Sequence, residues 1–212
     1  MRRLPTPSST SRILVAILLA LSDVTSSFAA DPLTSAVAIL EKETGQRSRG
    51  FSTRDFGRDE FKGPHSVLVP DERAEPLLWR IRSQMPPGIV AFIGTQRSLA
   101  EPPVKGTELV VAVAKSQFDI LRIAASDAVN YGKGTEDLVR TLQNWDERYG
   151  IEIYAAQTDT IHLRLKSLPK DIHAFATEVY EFCPDIVDQG VGDLKKLAAE
   201  IVRAKAVYLW WD

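Results

Sequence analysis

The side chains best suited to chemistry lie in three short polar segments of the C-terminal half of the chain. These segments are residues 127–134, 157–160 and 185–192, which together are called the polar loop end below. They carry carboxylates, amide oxygens and one tyrosine hydroxyl, namely Asp127, Asn130, Tyr131, Gln157, Asp159, Asp185, Asp188 and Gln189. Calcium and magnesium prefer oxygen ligands of this kind, and paired carboxylates can act as acid and base. Asp and Asn are also common in turns and helix caps, which is the structural alternative for each of them.

The other reactive side chains give weaker signals. Cys183 is the one cysteine of the chain. Its place at the end of a predicted helix favours a buried thiol over a nucleophile, because the negative end of a helix raises the pKa of a thiol. The histidines His65, His162 and His173 show no pairing that predicts a zinc site. We therefore assign no metal site and leave any cofactor open.

Hydrophobic periodicity predicts the elements that position the polar loop end. In chain order it predicts a strand at 118–125, a helix at 135–149, strands at 151–155 and 161–165, helices that begin after Asp171 and Asp193, and a strand at 207–212. The stretch 118–125 also fits a helix at Leu121 and Ala125, but its apolar character favours a central strand. Thr135 is the predicted N-cap of the first helix.

The order of these elements is close to the split βαβ unit of ferredoxin-like domains. The chain is therefore predicted to be an α+β protein with a ferredoxin-like C-terminal domain. In that topology the three polar segments lie at the same end of the domain. The additional helix before the last strand brings Trp211 and Asp212 to that end as well.

The N-terminal half is predicted to add an α/β extension to this domain. Its pattern predicts helices at 33–43 and through Leu77 and Ile81, and strands at 66–69, 89–93 and 109–114. The polar stretch 46–63 contains Phe51, Phe56 and Phe61 and predicts a loop whose rings pack against the body of the protein. Residues 100–106 form a proline-containing connection that is either a domain boundary or a hairpin loop. As a boundary it divides the chain into the extension, residues 30–105, and the C-terminal domain, residues 106–212, which is our prediction.

Residues 1–29 are typical of a secretory signal peptide. Three arginines precede an apolar run at 13–21, and the small residues Ser27 and Ala29 occupy the positions that a signal peptidase reads. The run is much shorter than the roughly 20 residues that span a membrane. We expect a periplasmic or secreted protein with no stable membrane insertion after the leader is removed. The formal net charge of -2 argues against nucleic acid as a partner.

Several blocks of sequence resemble those of one protein family. The blocks are Asp127-Ala128-Val129-Asn130-Tyr131, Thr135-Glu136-Asp137-Leu138, Trp145-Asp146-Glu147-Arg148-Tyr149, Cys183-Pro184-Asp185 with Gln189-Gly190, and Tyr208-Leu209-Trp210-Trp211-Asp212. In this order they are similar to the bacterial domain of unknown function family 4253. The resemblance covers the C-terminal half from about residue 108 and implies a shared fold. It implies no activity, substrate or catalytic residue.

The sequence as a whole predicts a binding module in which the polar loop end holds an unknown ligand or protein partner. The alternative is a hydrolase that uses two of the aspartates, with or without a divalent metal, so whether the protein is an enzyme stays open. Tyr208, Trp210 and Trp211 either form a stacking surface for a sugar or peptide or pack in the core. The alternation of a terminal strand favours packing.

The leader generates the first testable prediction. We expect the mature protein from its native host to begin at Ala30 or Asp31 and to occur in an exported fraction, because signal peptidase cleaves after the small residue Ala29. Mass spectrometry of the purified protein measures this N-terminus directly. Recovery of the intact chain with Met1 from the cytosol would contradict the prediction.

Overall fold

Seven strands and six α-helices are present in the computed structural model, which describes residues 31–52, 60–96 and 105–212. The first five are α1 (Pro32–Thr44), β1 (Arg49–Ser52), β2 (Glu60–Val69), α2 (Asp71–Arg82) and β3 (Ile89–Ile93). The others are β4 (Thr107–Val113), α3 (Asp119–Ala124), α4 (Thr135–Tyr149), β5 (Ile151–Ala156), β6 (Thr160–Leu165), α5 (Ile172–Phe182), α6 (Leu194–Ala204) and β7 (Ala206–Trp210). The predicted signal peptide lies outside the described residues.

All seven strands form one mixed sheet in the order β1-β2-β4-β3-β5-β6-β7. Neighbouring strands are antiparallel except β3 and β5, which are parallel and pair only at Ile93 and Ala155. The chain is therefore an α+β protein, as the sequence predicts. No helix of the described residues is long and apolar enough to cross a lipid bilayer.

The helices cover the two faces of the sheet unequally. On the first face, called the α2 face, α1 and α2 pack over β2, β4 and β3, and the core there includes Leu40, Leu78 and Val111. On the opposite face, called the α4 face, α3 to α6 pack over β5, β6 and β7. α1 and α2 do not extend over β6 and β7 on the α2 face. On that part of the sheet, His162 and Arg164 are half-buried and Tyr208 is 46% exposed.

The Arg82 side chain joins β3 and β5 where the backbone does not, and the Gln117 side chain bonds to the free backbone groups of β5. From the α2 face, the Arg82 guanidinium donates from Nε to the carbonyl oxygen of Ala91 (2.7 Å) and from Nη2 to that of Ile153 (2.6 Å). Gln117 accepts from the Ile153 N–H (2.9 Å) and donates to the Ile151 carbonyl (3.1 Å). These side chains replace the hydrogen bonds of a regular parallel ladder.

Two sequence predictions in the C-terminal half are wrong. Residues 118–125 form no strand but contain the helix α3, which buries Ile120, Leu121 and Ala124 and exposes Arg122. At six residues this helix is too short for its period to be distinguished from that of a strand. The ferredoxin-like arrangement rested on that strand and is not confirmed, since the sheet has seven strands in one order. Gly134 rather than Thr135 is the N-cap of α4, because the Asp137 carboxylate accepts a hydrogen bond from the Gly134 N–H (2.9 Å).

The N-terminal half follows the predicted order with longer elements. β2 begins at Glu60 rather than at residue 66, and β1 lies within the stretch predicted as a loop. Phe51 is buried and packs edge-on against Phe92, with ring centroids 6.0 Å apart. The side chains of Phe56 and Phe61 lie outside the part of the chain that is described. β3 and β4, the strands before and after the predicted connection, pair with each other along their length. The division of the chain into two domains stays a prediction.

The junction of β3 and β5 generates a stability prediction. We expect Arg82→Met to lower the free energy of unfolding by about 2 to 4 kcal/mol, because it leaves buried carbonyl groups without a donor. Arg80→Met is the matched control, since Arg80 lies on the same helix but is exposed and forms a surface ion pair with Glu43. That variant should lose less than about 1 kcal/mol. Urea unfolding followed by circular dichroism measures both, and equal losses would contradict the role of Arg82.

Candidate functional site

The three segments of the polar loop end lie together in the structure. The Asp127 N–H donates to the Thr158 carbonyl (2.8 Å), and the Tyr131 hydroxyl donates to Asp185 Oδ1 (2.6 Å). The Trp211 N–H donates to the Asp159 carbonyl (3.0 Å), so the last residues of the chain lie at this end as well. The predicted convergence is confirmed, although α3 stands where the first strand was expected.

Asp185 is the centre of this end and is only 4% exposed. Its carboxylate accepts hydrogen bonds from the Tyr131 hydroxyl, from Gln189 Nε2 (3.1 Å) and from the Asp212 N–H (2.9 Å). Burial alone would raise the pKa of Asp185, but these three donors hold it below its ordinary value. The hydrogen bond to Asp185 raises the pKa of Tyr131 to about 12. Asp185 therefore ties the segments together and has little capacity left for a ligand.

The remaining residues of the polar loop end are spread over its surface. Asp188 is exposed and accepts a long hydrogen bond from the Tyr180 hydroxyl (3.3 Å). Asp159 is exposed and accepts from the Thr160 hydroxyl (3.0 Å). Gln157 is half-buried and accepts from the Gln96 N–H (3.3 Å). Asp127 is half-buried and Asn130 is exposed.

Metal ligands and nucleophiles are not assembled at this end. Within residues 31–52, 60–96 and 105–212, no group of three or more His, Cys, Asp or Glu side chains could hold a metal ion. Cys183 is fully buried and its Sγ donates to the Trp210 carbonyl (2.9 Å). Burial raises the pKa of the Cys183 thiol to about 11, which keeps it protonated at neutral pH. The prediction of a buried thiol is confirmed.

A pocket lies elsewhere, on the α2 face at the carboxyl ends of β3 and β5. Its volume is about 630 Å³, within the range of ligand-binding cavities in proteins. Its polar lining comes from the start of α2, from Gln96 in the segment after β3, from Thr107 at the start of β4, and from β5, β6 and β7. The side chains that matter for chemistry are Asp71, Glu75, Gln96, Tyr154, His162 and Tyr208.

A β-bulge in β5 shapes the wall of this pocket. The pairing of β5 with β6 shifts between Ile153 and Ala155, so Tyr154 and Ala155 both lie in the core of the α2 face. Bulges re-aim side chains in this way and are frequent near binding sites. Tyr154 is 4% exposed. Its burial is the main cause that raises the pKa of its hydroxyl, and the hydrogen bond with Tyr208 is the second cause. Its hydroxyl therefore stays protonated at neutral pH.

His162 stands between the two tyrosines of the pocket. Its ring centroid lies 5.8 Å from that of Tyr154 and 4.9 Å from that of Tyr208, with interplanar angles of 59° and 84°. Burial lowers the pKa of His162 to about 4, so the imidazole is neutral at pH 7. We find no hydrogen-bond partner for its ring nitrogens among the described residues. A neutral imidazole offers one donor and one acceptor, and both are available here.

The acidic side chains from α2 have partners of different kinds. Glu75 accepts a hydrogen bond from Trp79 Nε1 (3.1 Å) and forms an ion pair with Arg164, whose guanidinium lies 4.1 Å from the centroid of the Trp79 ring. Asp71 accepts one hydrogen bond, from the Thr107 hydroxyl to Oδ1 (2.7 Å). Its other carboxylate oxygen accepts none from the described residues.

Sequence reasoning did not identify this pocket, and it gave Asp71, Glu75, Gln96 and Tyr154 no role. Apolar and polar residues alternate in β6, which predicts that His162 and Arg164 face solvent, and Tyr208 was considered only as part of the aromatic end of the chain. Leu209 and Trp211 are in the core, whereas Tyr208, for which core packing was favoured as well, is 46% exposed and faces the pocket. His162 lies directly opposite Tyr208 in the sheet, and this pairing of polar and aromatic residues on one face was the available signal.

The hydrogen bonds of Asp185 generate a prediction for the polar loop end. We expect Asp185→Asn to lower the free energy of unfolding at pH 7 by about 1 to 3 kcal/mol, because an amide cannot accept from all three donors. Asp188→Asn, on the exposed side of the same turn, should change it by less than about 0.5 kcal/mol. Urea unfolding measures both variants.

The pH dependence of that difference follows from the lowered pKa of Asp185. The carboxylate contributes its stability in full above the pKa of the unfolded state and loses it as the pH falls through the folded value. The gap between the wild type and Asp185→Asn should therefore shrink in acid below about pH 4. A gap that stays constant from pH 7 to pH 3 would show that the charge of Asp185 is not what matters.

Comparison with known proteins identifies the C-terminal half. Residues 108–212 match the model of the family described as Domain of unknown function (DUF4253). No curated protein and no solved structure matched the chain. The match begins in β4 and includes β5, β6 and β7, which supply Tyr154, His162 and Tyr208 to the pocket, whereas Asp71 and Glu75 precede it. The C-terminal half of this chain is therefore a domain of the DUF4253 family.

Proposed function

We propose that this protein is a binding module for a small polar molecule and that the ligand occupies the pocket on the α2 face. One observation carries this proposal. His162 is half-buried in the wall of a cavity of about 630 Å³, and its imidazole has no hydrogen-bond partner among the described residues. The ring nitrogens of His162 are accessible from the pocket rather than buried without a partner, so a ligand there could exchange hydrogen bonds to water for its own. A binding module is also the function predicted from the sequence, but the proposed site is now the pocket on the α2 face instead of the polar loop end.

The lining of the pocket suits recognition rather than reaction. The hydroxyls of Tyr154 and Tyr208 and the imidazole of His162 can donate and accept hydrogen bonds, and all three come from adjacent strands of a rigid sheet. Sites built on strands hold such groups with little freedom, which favours binding because little entropy is lost. Since the pKa of His162 is about 4, its imidazole is a poor general base at neutral pH.

The alternative of a hydrolase with paired aspartates has no supporting observation of its own. At the polar loop end the buried Asp185 accepts three hydrogen bonds, and Asp159 and Asp188 are exposed. In the pocket, Glu75 is engaged by Trp79 and Arg164. A general acid needs a pKa near the working pH, and Asp185 is shifted away from it.

Export remains part of the proposed function. A periplasmic or secreted binding module of bacterial origin would release residues 1–29 and bind its ligand outside the cytoplasm. The pocket needs no reduced thiol, because Cys183 is buried on the other side of β7 from the pocket lining. Oxidising conditions would therefore leave the site unchanged.

A panel of small polar molecules tests the site. We expect one class among neutral sugars, amino acids, organic amines and carboxylic acids to raise the melting temperature of the wild type, because a ligand at 100 times its Kd stabilises the folded state by about 2.7 kcal/mol. The shift should be lost in Tyr208→Ala and retained in Tyr180→Ala, a tyrosine at the polar loop end. Differential scanning fluorimetry measures the shifts.

The same panel separates the two candidate sites. A shift that Tyr208→Ala retains and Asp188→Asn loses would place the ligand at the polar loop end instead. The absence of any shift across the four classes would contradict a binding function for the pocket. Unfolding of each variant without ligand serves as the control for folding.

A further inference from the structure

The charges of the described residues around the pocket on the α2 face do not cancel. Asp71 and Glu75 bring two carboxylates from α2, and Arg164 brings one guanidinium from β6. Glu75 and Arg164 form an ion pair with each other, so their charges balance. Burial keeps His162 neutral at pH 7. Among the charged side chains of the described residues that line the pocket or pair with its lining, one negative charge, that of Asp71, is left over.

Asp71 also has bonding capacity left. Its Oδ1 accepts the hydrogen bond from Thr107, and its Oδ2 accepts none from the described residues. The Thr107 hydroxyl and the first turn of α2 fix the carboxylate at the rim of the pocket. A cationic group in the pocket would give this oxygen a partner and bring the local charge to zero.

The aromatic rings of the pocket add a second attraction for a cation. Tyr208 is 46% exposed, and its ring stands nearly perpendicular to that of His162. The face of an aromatic ring attracts a cation, and the face of Tyr208 carries no guanidinium or ammonium of the described residues. The same face of the sheet already uses this interaction, since Arg164 lies over Trp79 at 4.1 Å.

We propose that the ligand of this pocket is a small organic cation whose ammonium group lies against the rings of Tyr208 and His162 and pairs with the carboxylate of Asp71. This inference rests on the proposed binding function and narrows the class of ligand. A metal ion is a poor fit, because no group of three or more His, Cys, Asp or Glu side chains in the described residues could hold one. An anionic ligand would be repelled by the unbalanced negative charge of Asp71.

The sharpest probe is choline, compared with 3,3-dimethyl-1-butanol. The two molecules have nearly the same shape, and only choline is charged, so their difference isolates the recognition of charge. We expect choline to bind to the wild type and the neutral alcohol to bind at least about tenfold more weakly, since the attraction between unit charges at a protein surface exceeds the energy of a tenfold change. Isothermal titration calorimetry measures both.

Two neighbouring acidic residues of α2 provide matched variants. Asp71→Asn should weaken choline binding by about tenfold or more, because it removes the unbalanced charge and retains the hydrogen bond with Thr107. Glu72→Gln changes an exposed carboxylate on the same turn that does not line the pocket, and it should leave choline binding within about twofold. The Tyr208→Ala variant should lose choline binding as well.

Four results would overturn the inference. Equal binding of choline and the neutral alcohol would show that charge is not recognised. Choline binding that survives Asp71→Asn would place the cation elsewhere. In a third result, the protein binds a neutral sugar in a way that depends on Tyr208 and fails to bind choline. That result would contradict a cationic ligand and would retain the pocket as the binding site. If no probe binds at all, the proposed function fails together with the inference.

Discussion

The structure depends on how β3 and β5 are joined. These parallel strands share one backbone pair and then separate, and Arg82 and Gln117 take over the hydrogen bonds that a full ladder would form. Without them, several buried backbone groups would lack partners at the point where the two parts of the sheet meet. The family domain alone does not complete this junction, because Arg82 and β3 come before residue 108.

The same junction determines where a pocket can exist. α2 carries Arg82 at its end and Asp71 and Glu75 near its start, so the side chain that anchors the junction also fixes the helix that lines the cavity. The pocket lies at the carboxyl ends of the two parallel strands, which is where open sheets with such a junction commonly bind ligands. Because the helices on the α2 face stop before β6 and β7, the strand residues there remain accessible.

Local patterns predicted most elements but not the relations between distant ones. The helices that begin after Asp171 and Asp193 follow from their caps, and both carboxylates accept the expected backbone hydrogen bond. α3 was mistaken for a strand because a helix of six residues is too short for the spacing of its polar residues, Asp119 and Arg122, to be distinguished from that of a strand. The bulge at Tyr154 and the position of α2 beside β6 are set by tertiary packing. No spacing along the chain encodes them, so the pocket could not be predicted.

The residue types at the polar loop end suggested chemistry that their environment does not favour. A carboxylate with three hydrogen-bond donors, such as Asp185, serves mainly to hold chain segments together. His162 has the opposite character, since a strand residue on a nominal solvent face is half-buried and lacks a partner among the described residues. These two side chains differ in the hydrogen-bonding capacity that remains after their bonds within the protein are formed. A sequence does not show this remaining capacity.

The side-chain bonds at the junction also have a consequence for dynamics. The Ile153 N–H donates to Gln117 and the Ile151 N–H donates to Asp146 (2.7 Å), so neither is bonded to another strand. An amide held by a neighbouring strand exchanges its hydrogen with water only when the strands separate, whereas rotation of a side chain is enough to release these two. The middle of the sheet, usually its slowest-exchanging part, should therefore contain amides that exchange through local motion without unfolding.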